Sequence, residues 1–382
     1  MTARTIYFDA LSENARRALA PLAFDTVDAA ADAQILWLRK RYRRFYSRLR
    51  ADQLLNHLPG EGLMTRKADL AWVLHHRARQ EPNDPVSPDE FYKETYLLAH
   101  PGERREFLER LPEVDTPENL WILKPSTLSK GEGVRALWDL TELREQLRDE
   151  SKMTLPFEGK EYEYVIQRYI RDVLLLENRK SEIRVYWMIA SLDPLRVLVF
   201  PEGLVRLSSQ EFDINDVDNR TAHVINVFQQ KKDPNYDPDQ ELKWTFGELE
   251  AYCHQQGWAD RPDWIESQLL PKIERALGYV VRSIYTHVRG AQPKKGNFFG
   301  LYGADFLLDQ QLTPWLAEVQ RGPGLAFDDR VKRELIPEML QEAMAIALEI
   351  FDRREDAEEF ALESVRRFRW IASPVEAERG GP

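Results

Sequence analysis

Six short apolar runs between residues 120 and 319 constrain the fold of this chain more than any other feature. They are LWILK (120–124), YEYVIQRYI (162–170), IRVYWMIAS (183–191), LRVLVF (195–200), ADFLL (304–308) and WLAEV (315–319). Each is alternating or continuously apolar, with strand character. Helical patterns fill much of the remainder. One places Leu335, Ile336, Met339, Leu340, Ala343, Ala347 and Ile350 on a common face, and another is predicted over EDAEEFALESVRRFRWI (355–371). EPNDPVSPDE (81–90) and KKDPNYDPDQE (231–241) read as loops. Without regular βαβ alternation, the predicted class is α/β in the broad sense, a mixed α+β arrangement of layers.

The chain of 382 residues is long enough for two or three subdomains, and its 43% hydrophobic content marks it as globular. No apolar run is long enough to span a membrane, and the N-terminus lacks the apolar stretch of a signal peptide. A lone cysteine, Cys253, excludes a disulfide framework and a cysteine-based zinc site, and fits a reducing cytoplasm. The net charge of −11 argues against general nucleic-acid binding. One local exception is RKRYRRFYSRLR (39–50), with seven basic residues and no acid. Its Tyr42, Phe45, Tyr46 and Leu49 recur at helical spacing. It reads as an amphipathic helix with a solvated basic face, or as a docking patch for an acidic polymer.

Several motifs bring charge into these apolar runs. GADFLLDQQLTPWLAEVQRGPG reads as a hairpin whose strands carry Asp305 and Glu318. Glu318 and Gln320, two apart on a strand, point to one face. Either this is an edge strand with one wet face, or the oxygens of Asp305, Glu318 and Gln320 converge on a hard cation such as Mg²⁺. WILKPSTLSKGEGVRAL (121–137) ends a strand at Lys124 and continues into a loop with Lys130, Gly131 and Gly133. It is neither a Walker loop nor G-x-G-x-x-G, and a solvated turn is its plainer reading. In RKSEIRVY, Lys180, Glu182 and Arg184 share a strand face, where a structural ion pair is the alternative to a ligand. Arg206 lies on another predicted strand, and HVIN follows with His223 and Asn226. His75 and His76 are adjacent and read as surface residues. Cations on strands, a glycine loop and an acidic pair are together the set that phosphoryl transfer needs.

The order of these motifs resembles the tubulin–tyrosine ligase-like family, whose fold is ATP-grasp. LLNHLPGEGLMTRKADL (54–70) is similar to its Asn-His-x-Pro-Gly stretch, and WILKPS with KGEGV to its ATP-cradling segment. VIQRYI is similar to its adenine hinge, RKSEIRVY to Lys-Phe-Asp-x-Arg, EGLVRLSS to its arginine strand, HVIN to His-Leu-Thr-Asn, and LAEVQRGPG to Leu-x-Glu-Val-Asn-x-x-Pro. The resemblance implies that Lys67, Lys124 and Lys180 contact ATP phosphates, with Lys130 a loop contact. It implies adenine at Gln167, Tyr169 and Ile170, Glu182 near ribose or substrate, and Asn226 orienting substrate. Arg184 and Arg206 would hold the γ-phosphate and an amino acid. Asp305 and Glu318 would bind Mg²⁺, with Gln320 in the place of the family's Asn. On this basis Arg184, Arg206 and Glu318 are the expected catalytic residues. Gln320, Glu182 (for Asp) and Ile225 (for Thr) depart from the family pattern.

The implied activity is ATP-dependent ligation of an amino acid, glutamate being one candidate, to a peptide or protein carboxylate. The acceptor would be acidic if the run at 39–50 binds it. A ligase acting on a small metabolite and an inactive ATP-binding module are the alternatives. Expected subdomains are 1–64, 65–173 and 174–382, in a cytoplasmic monomer with no membrane or nucleic-acid partner. Asp305→Ala is expected to remove activity and spare the fold.

Overall fold

The computed structural model describes residues 4–40, 43–149, 151–233, 236–237, 240–289, 297–354 and 361–371. Its architecture is the expected mixture of helices and several sheets. A first, parallel sheet holds β1 (Thr5–Phe8), β2 (Asp25–Thr26), β3 (Ile35–Trp37) and β4 (Leu54–Leu55) in the order β2-β1-β3-β4. A second, antiparallel sheet holds β5 (Thr95–Leu97), β6 (Trp121–Pro125), β7 (Arg135–Leu137) and β10 (Tyr164–Arg168), in the order β5-β10-β6-β7. Between β7 and β10, β8 (Leu155–Phe157) and β9 (Lys160–Tyr162) form a small ribbon.

The third sheet carries most of the chemistry. It contains β11 (Leu175–Leu176), β12 (Arg179–Leu192), β13 (Leu195–Leu207), β14 (Lys243–Thr245), β15 (Gly300–Leu308), β16 (Pro314–Arg321) and β17 (Arg369–Trp370). Its main path is β14-β13-β12-β15-β16, all antiparallel. Period-two alternation explains how it is buried on both faces. From β12, Ile183, Val185, Trp187 and Ile189 enter one core with the helix Leu270–Arg289, while Tyr186, Met188 and Ala190 enter another with the helix Arg330–Asp352. On the second face, the apolar parity of β12 continues backwards into Arg184, Glu182 and Lys180. Arg206 continues the parity of Phe200 and Leu204 on β13 in the same way, apart from one register shift. One end of that face is therefore core, and the other end is charged.

Five expectations need correction. LRVLVF and the segment bearing Arg206 are one strand, β13, which runs through Pro201. YEYVIQRYI is divided between β9 and β10, and Tyr169 and Ile170 lie beyond the strand end. The helix expected over 355–371 is absent from its described part, 361–371, which ends in β17. There Phe368 packs on Phe200, and Glu342 accepts hydrogen bonds from the backbone N–H groups of Arg366, Arg367 and Phe368. His75 and His76 are half-buried rather than surface groups, one 3.4 Å from Glu103 and the other stacked on Trp72. In the basic run, the helix covers only Arg43–Arg48, with Arg41 and Tyr42 outside the described residues. None of the described helices is long and apolar enough to cross a membrane.

Candidate active site

The hairpin of β15 and β16 sets Asp305 directly opposite Glu318. An irregularity makes this possible. Phe306 pairs with Leu316, so Ala317 is an extra residue in β16. The bulge reverses the facing of everything after it. Leu316 and Val319 both reach the apolar core despite their odd spacing, and Glu318 and Gln320 turn to the face of Asp305.

Around Asp305, β12 and β13 deliver two arginines. Asp305 is 1% exposed. Arg184 donates to both of its oxygens, with Nη2 2.7 Å from Oδ2. Arg206 Nη2 lies 2.9 Å from Asp305 Oδ1 and 3.0 Å from Glu182 Oε1. Neither contact has hydrogen-bond alignment, and the buried Arg206 Nε has no hydrogen-bond partner among the described residues. Burial would raise the Asp305 carboxyl, but Arg184 and Arg206 hold it well below the usual carboxylate range. Burial pushes Glu182 the other way, well above that range, and the Asp305 charge adds to it against the pull of Arg206. One site therefore shifts its two acids in opposite directions.

Lysines complete the site. Lys124 projects from the face of β6 opposite Trp121 and Leu123 and donates to Gln167 Oε1 at 2.7 Å. The Gln167 amide is also spent on Thr95 Oγ1, at 2.8 Å. Lys180 donates to Tyr169 OH at 2.7 Å and to the His223 carbonyl at 3.0 Å. His223 Nε2 lies 3.1 Å from the Asp216 carbonyl, which can only accept, so Nδ1 is the acceptor for Tyr169 OH at 2.7 Å. Lys67 Nζ reaches Glu318 Oε2 at 3.2 Å, and through its charge Glu318 stays ionised and below its ordinary range despite burial. A cavity of about 110 Å³ joins Lys124, Lys180, Glu182, Asn226, Asp305 and Glu318.

The buried lysines carry a testable pH signature. Burial, with Lys67 nearby, brings Lys124 down from 10.5 to about 8, and burial with Lys124 brings Lys180 to about 7. Between these values and 10.5 the unfolded chain binds more protons than the native one, so these groups make stability rise with pH. Relative to Lys180→Met, the wild type should gain about 1 kcal/mol per pH unit from pH ~7.5 to ~9.5. Urea titrations at three pH values check this, and parallel pH profiles would mean an ordinarily titrating lysine.

The glycine loop closes over the site in a left-handed conformation. Lys130, Gly131 and Gly133 have φ of 60°, 70° and 68°. A Cβ on Gly133 would stand 2.5 Å from Pro125 Cγ, and one on Gly131 2.6 Å from Val224 Cγ1. Gln229 Nε2 donates to the Lys130 carbonyl at 2.8 Å, and Arg220 donates to the Gly131 carbonyl. Lys130 itself lies over the Phe228 ring at 4.7 Å. Gly133→Ala should cost about 1–3 kcal/mol in urea unfolding through backbone strain and the Pro125 clash; wild-type stability in that variant would show that the loop yields freely.

Outside the inner cavity opens a cleft of about 950 Å³. Arg39 and Lys40, from the basic run at 39–50, line its wall, together with Arg66, Lys243, Arg321 and Lys332, which sequence reasoning missed. Lys243 lies opposite Arg206 on β14, a register that no local pattern in the sequence carries. Among the described residues lining the cleft, Glu318 is the sole acid. The Asn-His stretch, in contrast, is scaffolding. Asn56 and His57 bind the backbone of Leu38, and His57 lies 3.0 Å from buried Glu61.

The metal donor set can be judged from geometry. Among the described residues no group of three His, Cys, Asp or Glu side chains could hold a metal ion. Asp305 Oδ2 and Glu318 Oε1 do converge, since both contact one atom, Gln320 Nε2. Two carboxylates suit Mg²⁺, which commonly takes one or two from a protein and fills its shell with water and phosphate. The Gln320 oxygen faces Arg184 at 2.8 Å rather than that point.

Known proteins are similar in sequence to this chain. A sequence model described as the Tubulin-tyrosine ligase family matches residues 46–356. The chain is 28% identical to "Probable tubulin polyglutamylase TTLL2" of Homo sapiens, over 81% of this chain and 50% of that protein. It is 28% identical to "Protein polyglycylase TTLL10" of Macaca fascicularis, over 84% of this chain and 58% of the relative. "Inactive polyglycylase TTLL10" of Homo sapiens is also 28% identical, over 84% and 53%. The chain thus spans about half the length of these curated relatives. The family match includes every strand that positions Lys124, Lys180, Arg184, Arg206, Asp305 and Glu318, and the chain belongs to the tubulin–tyrosine ligase family.

Proposed function

We propose that this chain is an ATP- and Mg²⁺-dependent ligase that joins an amino acid to the carboxylate of a peptide or protein. The observation that carries this reading is a cation-walled cleft that reaches Glu318, which pairs with Asp305 in the adjoining inner cavity. An acceptor carboxylate oxygen attacks the γ-phosphorus of ATP, and ADP leaves. The resulting acylphosphate is attacked by the neutral amine of the amino acid, phosphate leaves and an amide forms.

Each side chain has a part in this scheme. Lys67, Lys124 and Lys180 bind phosphate oxygens, and the glycine loop with Lys130 covers them and excludes water. A bound phosphate favours the charged forms of Lys124 and Lys180, so the nucleotide restores the charge that burial removes. Adenine lies against the segment Gln167–Ile170. The Gln167 amide is already paired, so its backbone and Tyr169 and Ile170 form the contact surface. Glu182 lies on the ribose side, Asn226 orients substrate, and Arg184 holds transferring phosphate. Arg206, with unused buried N–H groups, receives a substrate anion, either the acylphosphate or the α-carboxylate of the amino acid. Asp305 and Glu318 would hold Mg²⁺, which would neutralise phosphate charge.

The acceptor is an acidic peptide or protein segment, because the outer cleft is lined by cations in a chain of net charge −11. Glutamate and glycine are the first amino acids to test, since the relatives are named for those additions. The subdomain division 1–64, 65–173 and 174–382, a monomeric state and a cytoplasmic location complete the proposal. ADP release should be screened with ATP, Mg²⁺ and each amino acid, using a glutamate-rich peptide as acceptor. One amino acid that raises turnover supports the ligase. Tight ATP binding with no response to any of them would favour a binding module, a role in keeping with the relative named inactive.

A further inference from the structure

The two ends of the Gln320 side chain can be assigned by hydrogen-bond logic alone. Its Oε1 lies 2.8 Å from Arg184 Nη2. Guanidinium nitrogens only donate, so the amide oxygen must face Arg184. The amide nitrogen then lies 3.2 Å from Asp305 Oδ2 and in contact with Glu318 Oε1. Ionised carboxylates only accept. Swapping oxygen and nitrogen would therefore break all three contacts at once.

The position of that nitrogen is the informative part. Asp305 and Glu318 lie opposite each other on neighbouring strands, where unbridged like charges repel. The Gln320 N–H groups supply the positive end that holds the two carboxylates together. They stand at the point on which Asp305 Oδ2 and Glu318 Oε1 converge. Glu318 Oε2 is committed to Lys67 at 3.2 Å and Asp305 Oδ1 to Arg184 and Arg206, while Asp305 Oδ2 also accepts from Arg184 at 2.7 Å. The neighbourhood also fixes Arg184, the anchor of the amide oxygen. Arg184 lies across Gly303, where a Cβ would stand 3.0 Å from its Cδ, and Gly303 is the residue opposite Gln320.

We propose that the Gln320 carboxamide is a displaceable plug: without a cation its amide nitrogen bridges Asp305 and Glu318 in the cation's place, and it must swing away before a divalent cation can reach both. This rests on the reading of Asp305 and Glu318 as cation ligands. The plug competes with the metal, so its removal strengthens binding. A Gln320 that ligated the metal through Oε1 would have the opposite effect, because its removal would weaken binding.

The sign of one affinity change separates these roles. Mn²⁺ binding to the full chain is titrated by electron paramagnetic resonance, without nucleotide and with ATP, for wild type, Gln320→Ala, Gln320→Asn and Asp305→Asn. Gln320→Ala should bind Mn²⁺ at least tenfold more tightly than wild type, equivalent to about 1.4 kcal/mol. Gln320→Asn should shift in the same direction, because a side chain one bond shorter cannot reach from Arg184 to both acids. It also serves as the reading if the alanine variant fails to fold. Asp305→Asn should lose the site. Equal or weaker binding in both Gln320 variants, with loss in Asp305→Asn, overturns the plug and leaves the cation site standing. Binding unaffected by Asp305→Asn, or absent from every form with ATP present, overturns the plug and the site together.

Discussion

Asp305→Ala should destabilise the protein by about 3–5 kcal/mol, as well as abolish turnover. The expectation from sequence alone was that this substitution spares the fold, as removal of an exposed metal ligand would. The structure gives the reason for the difference. Asp305 is the shared counter-charge of Arg184 and Arg206 in the middle of a sheet. Alanine leaves Arg184 without its carboxylate partner and Arg206 with Glu182 alone. Asp305→Asn retains the shape and part of the hydrogen bonding, and should fall between wild type and alanine in stability. Its turnover should still drop on the order of 10²–10³-fold, the scale on which preorganised charge contributes to catalysis. Urea unfolding of both variants beside an ADP-release assay makes the comparison. An alanine variant as stable as wild type would mean that the arginines find water or other partners when the acid is removed.

The double reversal Lys40→Glu/Arg66→Glu should raise the KM for a glutamate-rich acceptor tenfold or more and leave the KM for ATP nearly unchanged. Both residues line the outer cleft, and neither contacts the inner cavity. Arg66 has one competing partner, Asp69, and its side chain is 56% exposed. Two reversals change the local charge by about four units within a Debye length of ~10 Å at 0.1 M salt, where attraction to a polyanion is large. The acceptor KM of the wild type should rise steeply with salt, and that of the variant should rise little. Steady-state kinetics at three ionic strengths against both substrates test this. A parallel loss for ATP would place these residues in nucleotide binding, and a salt-independent acceptor KM would remove the cleft from acceptor recognition.

Much of the inner site was legible because strands alternate. Lys180, Glu182 and Arg184 continue a period-two pattern whose other members are core residues, and a hairpin pairs Asp305 with Glu318. The bulge at Ala317 was hidden, since WLAEV read as a regular strand places Leu316 and Glu318 on one face. The single strand β13 was hidden by Pro201, Glu202 and Gly203, which interrupt its apolar run. Phe246 packs where a Cβ on Gly203 would stand, which accounts for the glycine inside the strand. The C-terminal segment kept helical spacing in its apolar residues. Its backbone N–H groups are instead bound to Glu342, a tertiary contact that no local pattern carries. The outer cleft was the least legible part. Arg66, Lys243, Arg321 and Lys332 come from separate elements, and only the folded chain brings their charges to Arg39 and Lys40 of the basic run.

The most direct test of the central claim is the mass of an acceptor. A synthetic glutamate-rich peptide is incubated with the protein, ATP, Mg²⁺ and either glutamate or glycine, and its mass is compared with that from Asp305→Asn. The account expects the peptide to gain whole residues of one amino acid, in step with ADP release, and to stay unchanged with the variant. Contradiction would be a peptide of unchanged mass while wild-type protein releases ADP in response to an amino acid, because the energy of ATP would then be spent on some other acceptor.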